Sequence, residues 1–229
     1  MKPGQTVAIF GETGAGKSTI INLIERFYDT TSGEILIDGI DIRKYNLQAL
    51  RKKISISMQD VFLFSNTIEE NISYGVSEVD NSRVTWAAEM ADASNFIQKL
   101  SDSYETVVGE RGVGLSGGQK QRITLARSII KDPSILILDD TTSALDVETE
   151  AMIQENLNAV YKDKTCFMIA HRISSIKNAD LILVLDDGNI VESGTHEELL
   201  DKKGHYYGVY IDQYGDYLED DYEKCKDVG

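Results

Sequence analysis

The chain has 229 residues, enough for one domain with a subdomain, and 41% of them are hydrophobic, which provides for a sizeable core and excludes a disordered polymer. Its 38 acidic residues against 23 basic ones give a formal charge of −15, which argues against nucleic acid or anionic lipid as a general surface partner. The longest apolar runs, 135–138 and 181–185, fall far short of the roughly 20 residues that cross a bilayer, and no charged-then-apolar signal segment opens the chain.

In chain order, residues 6–10 read as a short buried strand, followed at once by a glycine-rich loop and by the apolar period of a helix over 20–27. Residues 34–37 and 40–42 flank Asp38–Gly39 and read as a hairpin with a tight turn. Residues 54–58 are a further strand. The stretch 67–100 turns helical on Ile68, Ile72, Val84, Ala87, Ala88, Ala91, Phe96 and Ile97, and Trp86 among them reads as core packing. A helix over 117–131 is stopped by Pro133. Strands follow at 135–139, 165–170 and 181–186, separated by helical stretches at 147–161 and 172–177, and Asp187–Gly188 turns the chain into a last strand at 189–192. Alternating strands and helices predict an α/β fold around a parallel sheet. The near absence of strand signal over 60–131 predicts an inserted helical subdomain.

Two cysteines, Cys166 and Cys225, form neither a disulfide framework nor a metal-ligand pattern. Cys166 lies in an apolar run and reads as a buried thiol; a reducing, cytoplasmic setting fits. From His205 onward the composition shifts to six tyrosines and seven acids against two lysines. That segment reads as an acidic docking tail, or as a short helix ending near Tyr214 with a solvated end.

Gly11, Glu12, Thr13, Gly14, Ala15, Gly16, Lys17 and Ser18 match the G-x-x-x-x-G-K-[ST] pattern, with Thr19 next, between a strand and a helix as that pattern requires. The glycines let backbone N–H groups turn inward around phosphate oxygens, and the helix dipole points its positive end at the same place. Lys17 is placed to reach the β and γ phosphates, and the Ser18 hydroxyl to ligate Mg²⁺. The apolar run 135–138 ends in Asp139 and Asp140. A carboxylate at a buried strand end needs a partner, and a magnesium ion shared with Ser18 supplies one. Asp139 is thus the metal-associated acid, and Asp140 the group that orients or deprotonates water.

Ser116, Gly117, Gly118 and Gln119 open another helix, with Ser116 as a good N-cap and the glycines permitting close backbone approach. A serine hydroxyl and free N–H groups at a helix start make a second phosphate site. One chain needs only one loop per triphosphate, so this face is expected to close on a nucleotide held by another subunit.

With these motifs in order, the sequence resembles the nucleotide-binding domain of an ABC transporter over nearly its whole length. The quoted residues are the phosphate loop, the Q-loop Gln59, the LSGGQ signature at 115–119, the Walker B strand at 135–139, the D-loop at 143–146 and the switch His171. Residues 59–72 and 108–112 resemble exporters in particular, the first as the stretch beside the coupling helices of the membrane domain, the second as the cross-link loop. The resemblance implies an α/β P-loop NTPase (RecA-like) core, over 1–59 and 132–204, with a helical signature subdomain over 60–131 and a C-terminal helix and acidic tail over 205–229. It implies ATP and Mg²⁺, with the ion held by Ser18, Gln59 and Asp139. Gln59 would also sense the membrane domain, His171 would contact the γ-phosphate, and Asp146 would reach across a dimer interface. A second such domain, closing head to tail around two Mg·ATP, and the coupling helices are the implied partners, on the cytoplasmic face of the membrane.

Two departures qualify the resemblance. Asp140 stands where vigorous family members have Glu; its carboxylate is one methylene short, and misplacing a catalytic group by about 1 Å costs on the order of 10²-fold. One half of heterodimeric exporters carries a similar Asp, so a heterodimer with a Glu-bearing cousin is expected, with a homodimer served by Asp as the alternative. Secondly, the aromatic that stacks on adenine in the family lies upstream of anything here, so an excised domain or a mis-started reading frame is expected. A soluble ABC ATPase acting on DNA or ribosomes, or a regulatory subunit with negligible catalysis, are the rival readings.

Overall fold

The computed structural model describes residues 2–109, 114–141, 144–161 and 164–226. Strands β1 (Thr6–Gly11), β4 (Ile54–Ser57), β5 (Ile135–Asp139), β6 (Thr165–Ile169), β7 (Leu181–Asp186) and β8 (Asn189–Gly194) build one sheet in the order β4-β5-β6-β1-β7-β8, while β2 (Leu36–Ile37) and β3 (Ile40–Asp41) form a separate hairpin. All pairs in the large sheet are parallel except β7 with β8. Near-continuous apolar runs such as ILIL in β5 suit strands covered on both faces.

Alternation sorts the side chains. Ile9, Ile137 and Leu185 join a cluster with α1 (Lys17–Ile24) and α2 (Leu47–Lys52) on one face. Ala8, Phe10, Ile182 and Val184 face the other way, against α8 (Ile173–Ile176), α9 (His196–Lys202) and α10 (His205–Lys226). Leu136 and Leu138 join a third cluster with α3 (Ile68–Ser73), α4 (Asn81–Met90), α5 (Ser94–Ile97), α6 (Gly117–Ile129) and α7 (Val147–Tyr161). Trp86 packs against this third cluster, as expected, and Cys166 is buried within it.

Two local differences from the sequence reading have clear causes. The hairpin's second strand stops at Asp41 because the Asp41 side chain accepts from the Arg43 N–H at 2.8 Å and caps a 3₁₀ turn over Ile42–Lys44. The C-terminal segment does not stop near Tyr214 but continues as helix to Lys226. Gly215 does not end it, and beyond it the sequence has no proline and supplies Leu, Glu and Lys, which favour helix. Among the described residues no helix is long and apolar enough to cross a membrane.

Candidate functional site

The parallel strands end at one edge of the sheet, and the candidate groups stand along that edge because each follows a strand. Ser57 pairs with Leu138, Asp139 with Ile169, and Gly11 with Leu185. Gln59, Asp139, Asp140, His171 and the loop after β1 therefore leave from neighbouring strand ends.

The loop turns back where Glu12 O accepts from the Ala15 N–H at 3.2 Å. Gly16 enters α1 at φ 103°, a left-handed conformation that favours glycine, and no side chain caps the helix. The first amides of α1 are left for a ligand rather than a cap. Lys17 is buried, 7% exposed, and its Nζ donates to Gly11 O at 2.7 Å and Glu12 O at 2.8 Å. Burial lowers its pKa, and the charges of Asp139 and Asp140 pull against that shift. Glu12, Thr13, Ser18 and Thr19 are exposed at the mouth of the loop.

Asp139 is half-buried; burial first, then the neighbouring Asp140, raises its pKa, against the opposing charges of Lys17 and His171. Asp140 is buried and sits at φ 47°, a left-handed conformation that Asp tolerates better than most residues. Its N–H donates to Ile169 O at 2.8 Å, and its Oδ2 accepts from Gln59 Nε2 at 3.4 Å. The fold thus brings Lys17, Gln59, Asp139 and Asp140 together, with His171 near enough for its charge to act on Asp139. The His171 ring is exposed and lines a cavity of about 530 Å³ with Phe10, Glu12, His205 and Asp212.

Ser116 to Gln119 stand apart, at the start of α6. Ser116 Oγ accepts from the Gln119 N–H at 3.3 Å and Gln119 Oε1 from the Ser116 N–H at 2.9 Å, a reciprocal capping box. Ser116 and Gly117 are exposed. Gly118 packs so closely that a Cβ there would lie 3.0 Å from Leu145 Cδ2 and 3.3 Å from Ala144 O. Gln121 Oε1, from the same helix, accepts from the Ala144 N–H at 3.3 Å. Asp146 caps α7, with its two oxygens on the Thr149 N–H and hydroxyl, both at 2.9 Å. Ser143 and residues 110–112 of the cross-link loop lie outside the described residues.

The Ser18 hydroxyl, the Gln59 amide oxygen and the Asp139 carboxylate are hard oxygen donors, the kind magnesium takes when water and phosphate complete its shell. Among the described residues no group of three His, Cys, Asp or Glu side chains could hold a metal by itself. That donor set fits an ion that arrives with a nucleotide's phosphates.

Two groups beside the site escaped the sequence reading. Glu150 is buried, accepts from the Ser175 hydroxyl and lies 3.9 Å from Arg172. A signal existed: Glu150 shares helical spacing with Ile153 and Leu157 on the buried stripe of α7. Gln213 of α10 donates to His171 O at 2.8 Å and accepts from the Ile173 N–H at 3.0 Å. A single glutamine in a polar helix has no spacing that betrays it.

A strand, glycine loop and helix at the edge of a parallel sheet, with paired acids facing a buried lysine, define a P-loop ATPase domain. Residues 1–143 match the family model described as ABC transporter, and the chain belongs to that family. It is 51% identical over 210 residues to a putative multidrug export ATP-binding/permease protein of Bacillus subtilis (strain 168), a match covering 92% of this chain and 36% of that protein. A protein of the same description from Staphylococcus aureus (strain NCTC 8325 / PS 47) is 52% identical over 210 residues, with the same coverage, 92% and 36%. ABC transporter B family member 3 of Dictyostelium discoideum is 51% identical over 209 residues, 91% of this chain and 15% of that protein. The chain therefore spans about a third of the bacterial relatives' length. A solved structure of a bacterial Atm1-family ABC exporter with ATP bound superposes with a TM-score of 0.89 at 46% identity, covering 92% of this chain and 37% of that one.

Proposed function

We propose that this domain is the ATP-hydrolysing motor of an exporter, closing head to tail with a second nucleotide-binding domain around two Mg·ATP. The observation that carries the proposal is the meeting of Lys17, Gln59, Asp139 and Asp140 beside uncapped α1 amides at one sheet edge. Lys17 trades its loop carbonyls for the β and γ phosphates. Amides from Gly11 to Thr19, across Glu12, Thr13, Gly14, Ala15 and Gly16, cradle phosphate oxygens. Ser18, Gln59 and Asp139 hold Mg²⁺, which when bound offsets the charge that develops on the γ-phosphate during in-line attack by water. Asp140 orients that water or takes its proton, and His171 contacts the γ-phosphate. Ser116 and Gln119 bond to each other and Ser116 and Gly117 are exposed in this chain, which supports the use of Ser116, Gly117, Gly118 and Gln119 on the partner's nucleotide.

The coupling helices of a membrane domain are the second partner. Phe62 and Tyr74, 51% and 53% exposed, flank Phe64 in an aromatic surface within and just beyond the 59–72 stretch, and that surface supports this docking place on the cytoplasmic face of the membrane. The partner domain is a related half-transporter with Glu after its Walker B aspartate, and the present site is the weaker of the two.

In the native complex, Asp140→Glu should raise turnover at this site by about tenfold or more, given what a 1 Å misplacement costs. No gain removes the weakened-site reading and leaves a homodimer served by Asp. A photoactivatable group on the γ-phosphate of ATP should label residues 115–119 only in the assembled complex. Absence of label there removes the head-to-tail reading altogether.

A further inference from the structure

The backbone after β6 carries His171 and then, within two residues, starts α8, a helix of only four residues, Ile173–Ile176. The residue at its N-cap, Arg172, makes no side-chain capping bond. The Ile173 N–H is instead taken by Gln213 Oε1, while Gln213 Nε2 donates to His171 O. Both partners are backbone groups of fixed polarity, so only one orientation of the amide satisfies them. One side chain from a distant helix thus bridges residues i and i+2 across the candidate switch, a tertiary cap in place of a local one.

The helix that carries Gln213 is firmly seated. Tyr206 is fully buried, meets Phe10 edge-on at 5.6 Å and bonds His196 Nδ1 at 2.8 Å, and Val209, Tyr210 and Tyr214 pack on the same cluster as Ile173 and Ile176. On the opposite side Glu150 of α7 accepts from Ser175 and faces Arg172 at 3.9 Å. The His171 ring is exposed beside a cavity, so packing does not fix it; what is fixed is its backbone, by Gln213.

We infer that Gln213 is a positioning residue of the ATPase site: the C-terminal helix holds His171 in register with the nucleotide through a two-point amide clamp. The inference rests on the proposed contact between His171 and the γ-phosphate. Displacing such a group by about 1 Å can cost on the order of 10²-fold in rate.

In the native complex, Gln213→Leu should lower the turnover number at this site about tenfold to a hundredfold, with KM for ATP at this site changed less than about twofold. Gln213→Glu keeps the acceptor for Ile173, loses the donor to His171, and should fall between Leu and wild type. In a His171→Ala background Gln213→Leu should cost nothing further, because both changes remove one function. Turnover within twofold of wild type, a raised KM at unchanged turnover, or an equal loss in the His171→Ala background each overturns the inference. Amide exchange at Ile173 gives a readout free of catalysis: it should quicken about tenfold in Gln213→Leu while the β6 amides stay protected. Unchanged exchange overturns the clamp even if the melting temperature falls. Should His171→Ala leave turnover intact, the phosphate contact of His171 falls, and exchange at Ile173 then decides for or against the clamp alone.

Discussion

Two cations withdrawn from water show how differently this chain treats its scaffold and its site. Arg127 of α6 is sunk beside α3, where its Nε donates to Asn71 O at 2.6 Å, one terminal nitrogen to Phe62 O at 2.9 Å and the other to Asn71 Oδ1 at 2.8 Å, with the Phe64 ring 5.4 Å below it. Asn71, fully buried, completes the knot by accepting from the Phe64 N–H and donating to the carbonyls of Phe64, Asn66 and Thr67. Lys17 of α1 is buried, but among the described residues its ammonium bonds to two carbonyls of the loop it follows. Burial lowers the pKa of both. In the first case every polar group has a permanent partner; in the second the partners are ones a phosphate can replace. Saturation marks what holds the fold, and replaceable bonding marks what works.

The contrast can be broken by mutation. The largest expected effect is Lys17→Ala, which should cut ATP hydrolysis at this site by about 10²-fold or more, since it removes charge stabilisation of the transferring phosphoryl group. Its urea midpoint should scarcely move; a large fall would make Lys17 scaffold after all. Asn71→Ala should do the reverse. It strands the Phe64 N–H and one Arg127 nitrogen, while the carbonyls of Phe64, Asn66 and Thr67 keep their backbone donors, at about 2–4 kcal/mol, given roughly 1–3 kcal/mol for each buried group left unpaired. Urea denaturation followed by circular dichroism reads this directly, and a loss under about 1 kcal/mol would mean water repairs the knot.

A smaller test sharpens the comparison with a pair of which one member, Asp41, is buried and the other, Arg43, is exposed. Hydrogen bonds from Arg43 hold the Asp41 carboxyl down to about 2. A depressed carboxyl contributes stability above its unfolded value of about 4, and that contribution fades as pH falls from about 4 to about 2. The gap in urea midpoint between wild type and Asp41→Asn should be present at pH 6 and shrink by pH 2.5. A gap independent of pH would assign the effect of Asp41 to its cap on the 3₁₀ turn rather than to its charge.

The sequence was most legible where one short segment carries the whole physical cause. The phosphate loop, the serine cap of α6 and the Asp-Gly turns are local chemistry; Asp38 and Asp187 do adopt left-handed φ values of 50° and 43° before their glycines. The strands followed from apolar runs that a two-faced burial demands. Less was legible where partners meet across the chain. The bond of Gln59 to Asp140, 81 residues away, and that of Gln213 to His171, 42 away, leave no periodic trace. In this chain both oxygens of Asp146 serve Thr149, a local cap that the sequence reading did not single out. The length of α10 was underestimated because acidity and tyrosine content speak of solvation, not of backbone conformation.

The near contact of Gly118 with Ala144 and Leu145 has a mechanical corollary. With no side chain between them, and with Gln121 bonded to the Ala144 amide, the first turn of α6 and the approach to α7 are joined like the two arms of a rocker. A tilt of the first turn of α6 would therefore carry Ala144 and Leu145 with it toward the head of α7.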